Sequence, residues 1–314
     1  MAKVLVTGGA GFIGSHLATR LVEDGHEVRV IDNFATGRRE NLSHLGDGYE
    51  LIEGDIRDFE QCLTACAGAE YVLHQAAIPS VPKSVEDPKT SHDANVNGTF
   101  NILRAAVEQK VKRVIYAGSS SVYGDSEESP KHERMIAAPL SPYAVQKCLG
   151  EHYCRAFYEC FGLETISLRY FNVFGPRQDP ASQYAAAIPA FTVAILNGEA
   201  PIVYGDGEQT RDFTYIDNVV DGNILAIQAG KTHGEAVNVA CGDRISVNQV
   251  IAAINRALGT NVQAKHVERR AGDVLHSCAD IGLARRLLGY EPKVSFEEGL
   301  RRAIEHYQRA TSSA

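Results

Sequence analysis

The segment Thr7-Gly8-Gly9-Ala10-Gly11-Phe12-Ile13-Gly14 constrains this chain more than any other. It follows an apolar, β-branched run, Lys3-Val4-Leu5-Val6-Thr7, and leads into Ile13, Leu17 and Leu21 at four-residue spacing. That spacing predicts a helix, which Gly25 ends. Glycines 8, 11 and 14 thus stand where a strand turns into a helix. So tight a turn has no room for a Cβ and lets the backbone approach a pyrophosphate. The helix N-terminus meets that charge with free N–H groups and the positive end of its dipole. A second run, Val28-Arg29-Val30-Ile31-Asp32, ends on a carboxylate 18 residues after Gly14, where the ribose-binding acid of a dinucleotide site is expected. A carboxylate accepts hydrogen bonds from ribose hydroxyls and repels a 2′-phosphate, so NAD is favoured over NADP. Arg38 and Arg39 stand close by, either as a solvated pair or as partners for a phosphate. Asp55 ends a third run, placed to meet the adenine or to serve as a plain turn residue.

Further apolar runs at 49–53, 70–74, 113–117 and 165–171 alternate with helical patterns, Asp58 and Gln61 resembling a capping box ahead of one of them. Continuous Val/Ile/Leu content suits strands covered on both faces. The expected fold is therefore α/β, a Rossmann-type doubly wound parallel sheet. After about residue 175 the chain turns Pro-, Gly- and Ala-rich, which predicts a smaller mixed α/β lobe. The expected division is 1–170 for the dinucleotide-binding domain and 171–314 for the lobe, with a strand near 236–240 returning to the sheet. Lys and Arg total 31 against 39 Asp and Glu, a net charge of −8 that lacks the footprint of a nucleic-acid binder. No apolar stretch reaches the roughly 20 residues of a membrane span. Met1-Ala2-Lys3 runs straight into the first strand, and the seven cysteines include no CxxC pair. Both features predict a reducing, cytoplasmic setting without disulfides or structural zinc. The eleven histidines form no HExxH pair or Cys/His cluster, so no metal site is expected.

Tyr143-Ala144-Val145-Gln146-Lys147 places a phenol and an ammonium four residues apart on one helix face. A phenol with pKa near 10 is a poor base at neutral pH, but an adjacent cation and an oxidised nicotinamide ring both favour the phenolate. It then takes a proton from a carbinol as hydride leaves the same carbon. Upstream, the fifth run opens into Gly118-Ser119-Ser120-Ser121-Val122-Tyr123-Gly124, small hydroxyls at the strand end where open parallel sheets bind ligands.

The chain resembles the extended short-chain dehydrogenase/reductase family and, within it, the UDP-sugar 4-epimerases. The likeness spans essentially the whole chain. It rests on TGGAGFIG, DNF at 32–34, GD at 54–55, HQAA at 74–77, SSSVYG, SPYAVQK, RYFNVFGPRQ at 169–178, GDGEQTRDF at 205–213 and RRAGD at 269–273. The resemblance implies that Tyr143 is the base, that Lys147 holds the nicotinamide ribose and tunes it, and that Ser119 bonds the sugar 4-hydroxyl. Ser120 and Ser121 remain open for that last role. It implies NAD contacts at Gly8, Gly11, Phe12, Ile13, Gly14, Asp32, Asn33, Asp55, Ile56, Gln75, Ala76 and Ala77. Around a UDP-sugar it implies Lys83, Asn95, Asn172, Ala187, Tyr204, Arg211, Arg270, Asp273 and Ser277. Here Arg211 and Arg270 would fork onto the diphosphate, Tyr204 would stack on uracil and Asp273 would accept from ribose.

Related dehydratases and decarboxylases carry a carboxylate just before Val-Tyr-Gly, where this chain has Ser120 and Ser121. A 4-keto sugar without that acid has one easy fate, which is to recover hydrogen at C4, inverted if the sugar has swung round. In the family a bulky residue at the position of Ser277 excludes 2-acetamido sugars, whereas serine leaves room. UDP-N-acetylglucosamine and UDP-N-acetylgalactosamine are therefore expected, with UDP-glucose and UDP-galactose beside them. Arg177 or Lys83 meeting a carboxylate keeps UDP-glucuronate open. A redox-linked sugar-nucleotide oxidoreductase and a non-catalytic nucleotide sensor on the same fold are the alternatives. Phe100, Leu103, Val107, Leu149 and Phe157 resemble the family's homodimer interface, or serve the core.

Overall fold

The apolar runs form six strands: β1 (Lys3–Thr7), β2 (Glu27–Asp32), β3 (Tyr49–Glu53), β4 (Tyr71–His74), β5 (Arg113–Ser119) and β6 (Glu164–Tyr170). Helices α1 (Phe12–Glu23), α2 (Phe59–Cys66), α3 (Val81–Glu86), α4 (Pro88–His92), α5 (Gly98–Glu108) and α6 (Pro142–Phe161) lie between them. Next come β7 (Val173–Phe174), α7 (Ala187–Leu196), β8 (Ile202–Tyr204), β9 (Thr210–Arg211), β10 (Thr214–Tyr215) and α8 (Ile216–Gln228). They are followed by β11 (Glu235–Val239), β12 (Ile245–Ser246), α9 (Val247–Leu258), β13 (Lys265–Val267), α10 (Gly282–Leu288) and α11 (Phe296–Ser312). The structure is a computed structural model and describes all residues except 181–186, 270–274 and 313–314.

Seven strands make one parallel sheet in the order β11-β6-β5-β4-β1-β2-β3. Alternation along the strands explains the two covered faces. Val4 and Val6 join Leu17, Leu21 and Val219 on the α1/α8 side, while Leu5 joins Cys62, Ile102 and Cys154 on the α2/α5/α6 side. The returning strand is β11, which pairs with β6 through Val237 opposite Leu168. Strand order reverses between β1 and β4, whose ends meet at Thr7 opposite His74, and ligands of open α/β sheets bind at such a point.

Local signals account for the helix ends that matter to the site. Asp58 caps α2 by accepting from Glu60 N and Gln61 N. The expected reciprocal box does not form, because the Gln61 carbonyl turns instead to Asp55 N at 2.7 Å and ties down the end of β3. Ser141 caps α6 through Ala144 N, with Pro142 opening the helix, so Tyr143 falls in its first turn. Short strand pairs β10-β7, β12-β9 and β13-β8 build the carboxyl-terminal elements beyond the sheet's ligand edge. Among the described residues, no helix is long and apolar enough to cross a membrane.

Candidate active site

The glycine turn is built as its spacing implies. Gly8 has φ +65°, and a Cβ on Gly14 would stand 2.2 Å from the Gly8 carbonyl oxygen, so the first turn of α1 rests directly on the loop. Gly11 supplies no capping side chain to α1, and its first turn holds no acid, which leaves the helix N-terminus suited to an anion. Asp32 accepts from Ala10 N at 2.9 Å and Phe34 N at 2.8 Å, which aims its carboxylate over the turn. Burial raises its pKa while those two bonds oppose the rise. Asn33 donates to Asp55 at 2.9 Å, and Arg57 also binds Asp55, holding its carboxyl down to about 2. Arg38 pairs with Asp179 at 2.9 Å and Arg39 with Glu53, so each guanidinium has a carboxylate partner other than a 2′-phosphate. An uncapped helix start, a glycine cradle and a ribose-facing acid fit a dinucleotide with free ribose hydroxyls. Gln75, Ala76 and Ala77 follow β4 on the other side of the switch point, and Thr7 Oγ accepts from Ala76 N at 3.1 Å.

The reacting groups gather at the carboxyl end of β5. Lys147 is buried and donates to the Ala117 carbonyl at 2.9 Å, its ammonium 5.9 Å from the centre of the Tyr143 ring. Gly150 permits this approach of α6 to β5, since a Cβ there would stand 2.2 Å from the Tyr116 hydroxyl. The Tyr143 phenol lies near enough to Ser119 for that hydroxyl to favour the phenolate, and the Tyr143 backbone N–H donates to Ser84 Oγ at 3.0 Å. Ser121 Oγ donates to Ser119 Oγ at 2.9 Å. Of the three serines, Ser119 is thus the one near the Tyr143 phenol, with Ser121 behind it.

The protein groups by themselves do not produce the expected lowering of the Tyr143 pKa. Burial pushes the Tyr143 phenol above its ordinary value, and it is the Ser119 hydroxyl that opposes the rise. Lys147 directs one of its N–H groups to the Ala117 carbonyl, and burial lowers its own pKa to about 8. The protein alone therefore keeps the phenol protonated, because desolvation of a phenolate outweighs a cation held across the ring.

The ends of β5 and β6 connect this centre to the second part of the site. Ser119 lies opposite Tyr170, two residues before Asn172, whose amide donates to the Asp212 carbonyl at 3.3 Å. Neighbouring Arg211 donates to the carbonyls of Thr210 and Leu275. Ser277 N donates to Thr210 O at 3.1 Å, which brings Ser277 beside β9. Tyr204, Gly205, Asp206, Gln209, Arg269 and Leu275 line a cavity of about 220 Å³. Asp212, unmarked by the sequence reading, anchors this region by accepting from Cys241 N, Gly242 N and Ala279 N. Burial raises its pKa to about 6 despite those bonds.

Several expected contacts fall elsewhere. Asn95 is 1% exposed and is spent inside the protein, accepting from Ile78 N and donating to Gln146 Oε1, both within 2.8 Å. A buried amide must satisfy both ends, and Asn95 does so by clamping the loop after β4 to α6. Ile56 turns its side chain into the core against Gly98. Arg177 reaches Thr19 at 3.1 Å and packs with His44 and His306, two turns along α1 and away from Tyr143. Leu103 and Phe157 are buried, leaving Phe100 and Leu149 exposed on α5 and α6. Lys83 is exposed on α3 beside Ser84, and Ala187 opens α7 half-buried. Arg270 and Asp273 lie outside the described residues.

Comparison with known proteins adds the following. The model of the NAD dependent epimerase/dehydratase family matches residues 4–240. The UDP-glucose 4-epimerase of Mycolicibacterium smegmatis is 36% identical across 98% of both chains. Among solved structures, the UDP-N-acetylglucosamine 4-epimerase of Methanobrevibacter ruminantium, in complex with UDP-N-acetylmuramic acid, is 39% identical. It superposes with a TM-score of 0.95 over 98% of this chain and 99% of that one. The UDP-glucose 4-epimerase of Thermus thermophilus in complex with NAD is 34% identical, with a TM-score of 0.90 over 98% and 99%.

Proposed function

Because the chain belongs to the NAD dependent epimerase/dehydratase family, we propose from its site that it is an NAD-dependent UDP-sugar 4-epimerase, an isomerase. The observation that carries this reading is the gathering of Tyr143, Lys147 and Ser119 at the end of β5, with serines and no carboxylate at 120 and 121. Gly8, Gly11, Gly14 and the start of α1 hold the pyrophosphate of NAD, Asp32 its adenosine ribose, and Lys147 its nicotinamide ribose. When bound, the cofactor would supply a positive charge that favours the phenolate and a reversible two-electron acceptor for the sugar. Tyr143 accepts the proton of the 4-hydroxyl, and Ser119 holds that oxygen in place. Once the 4-keto sugar has formed, Tyr143 is also the acid that returns the proton. Ser120 and Ser121 offer no second acid or base, so elimination or decarboxylation finds no catalyst. Tyr204 and Arg211 grip the uridine diphosphate at a distance from this centre, which leaves the hexose free to turn over before C4 is reduced on its other face.

For the sugar, we read half-buried Ser277, beside Arg211 on the β9 edge, as leaving room for a 2-acetamido group. The sheet with α8 and β11 forms the cofactor domain in this reading, and the segments from 171 to 215 and after 240 form the substrate lobe. The protein interconverts UDP-N-acetylglucosamine and UDP-N-acetylgalactosamine, and UDP-glucose and UDP-galactose, without added cofactor and without net growth of reduced-nicotinamide absorbance. Ser277→Tyr abolishes turnover of the acetamido pair while sparing the other. Equal turnover of all four by the variant contradicts the pocket assignment, and stoichiometric growth of that absorbance contradicts epimerisation. The partner proposed for exposed Phe100, Val145 and Leu149 is a second copy of the chain, working in the cytoplasm; sedimentation as a monomer contradicts the dimer.

A further inference from the structure

Tyr143, Lys147 and Glu151 follow one another at four-residue intervals and so share one face of α6. The first two belong to the chemistry, whereas the third has no part in it so far. Glu151 is 8% exposed and lies against β5, where Gly118 makes room: a Cβ there would come within 3.1 Å of Glu151 Oε1. Arg169 on β6 binds the carboxylate from below with Nε at 3.0 and 3.2 Å and Nη2 at 2.7 Å. The remaining guanidinium nitrogen is turned away, donating to the Tyr123 hydroxyl at 2.9 Å. That hydroxyl in turn donates to Asn238 on β11.

Lys147 needs such a neighbour. It is 4% exposed, with the Ala117 carbonyl as its hydrogen-bond acceptor. The titratable groups facing it from its own helix are Tyr143, Cys154 and Glu151; β5 contributes Tyr116, with its ring 5.0 Å away, β4 His74, and β6 Arg169 behind Glu151. Burial keeps both phenols and the Cys154 thiol protonated, and it keeps His74 neutral with a pKa near 3. Glu151 is therefore the anion among the described groups around a buried ammonium, and Arg169 fixes its orientation from the far side. We propose that Glu151 is a positioning residue for the reaction: clamped by Arg169, its carboxylate keeps the Lys147 ammonium charged at the end of β5, where Tyr143 and Ser119 meet the sugar. This rests on the roles proposed for Tyr143 and Lys147.

The sign of the effect follows from the charges. An anion beside an ammonium favours the protonated form, and removing it, with Arg169 left uncompensated, releases the proton at lower pH. In Glu151→Gln the alkaline limb of the turnover profile moves down by about one pH unit or more. The chemical shift of the Lys147 Cε carbon, followed in isotope-labelled protein without substrate, titrates with the same displacement. A role confined to packing lowers turnover or melting temperature and leaves both titrations where the wild type has them; that result in folded Glu151→Gln overturns the proposal. Should that variant fail to fold, Glu151→Leu combined with Arg169→Met removes both charges together, and a smaller shift in the same direction is expected. Unchanged titrations in the double variant overturn the proposal equally. Lys147→Met separates this outcome from failure of the underlying reading: wild-type turnover there removes Lys147 from the mechanism, whereas crippled turnover with an unmoved Glu151→Gln profile removes Glu151 alone.

Discussion

Tyr143→Phe lowers turnover on any accepted UDP-sugar by about 10³-fold, the middle of the range for loss of a general acid–base group. The ring, its place in the first turn of α6 and the backbone bond to Ser84 all survive the change, so melting temperature and UDP-sugar affinity stay close to wild type. The size of the effect follows from what is left. Ser119 retains only its contacts with Ser121, and Lys147 is bound to a carbonyl, so neither replaces the lost proton acceptor. Because the phenol acts as base only when deprotonated, and burial raises its pKa, wild-type turnover has an acid limb that rises with pH and is absent from the residual activity of the Phe variant. Steady-state turnover over a pH series checks both points. A Phe variant within a factor of ten of wild type, or one that keeps the wild-type acid limb unchanged, is incompatible with Tyr143 as the base.

The second large effect is on the cofactor. In Gly14→Ala the new methyl meets backbone on both sides, the Gly8 carbonyl oxygen at 2.2 Å and Gly9 Cα at 2.8 Å. No side chain can rotate out of the way, so α1 must lift off the turn that aims its N–H groups. Overpacking of this kind costs about 1–3 kcal/mol. At roughly 1.4 kcal/mol per decade, NAD affinity falls by about 5- to 140-fold. Gly25→Asn is the control: its φ of +79° is tolerated by asparagine, nothing lies within 4 Å of its Cβ, and it lies at the far end of α1. Titration of cofactor-stripped protein with NAD measures both. Equal affinities in the two variants mean that the glycine turn is not where the pyrophosphate binds.

What the sequence revealed and what it hid divide along a physical line. The glycine turn, Asp32 and the Tyr143–Lys147 pair are local: strand and helix periodicity alone bring their members together, and the structure finds them on β1–α1–β2 and α6 as expected. Residues whose partners come from distant segments were not legible. The amide of Asn95 is taken up by Ile78 and Gln146, which are far apart in the chain. Glu151 gave no signal because Arg169, the residue that explains it, belongs to the next strand. The return of β11 to the sheet was legible in its apolar run, whereas α8, which covers the sheet beside α1, was not. Charge was harder than place. Spacing puts a cation near Tyr143, but only the packed structure reveals that desolvation wins and that Lys147 is bound to Ala117.

Tracing the hydrogen on C4 gives the most direct test of whether this site oxidises a sugar and then restores it. With a UDP-sugar carrying deuterium at C4, mass spectrometry of the equilibrated pair should find the label still at C4 of both epimers, none of it exchanged with water. Washout of deuterium into solvent, or product that stays oxidised at C4, would contradict the account.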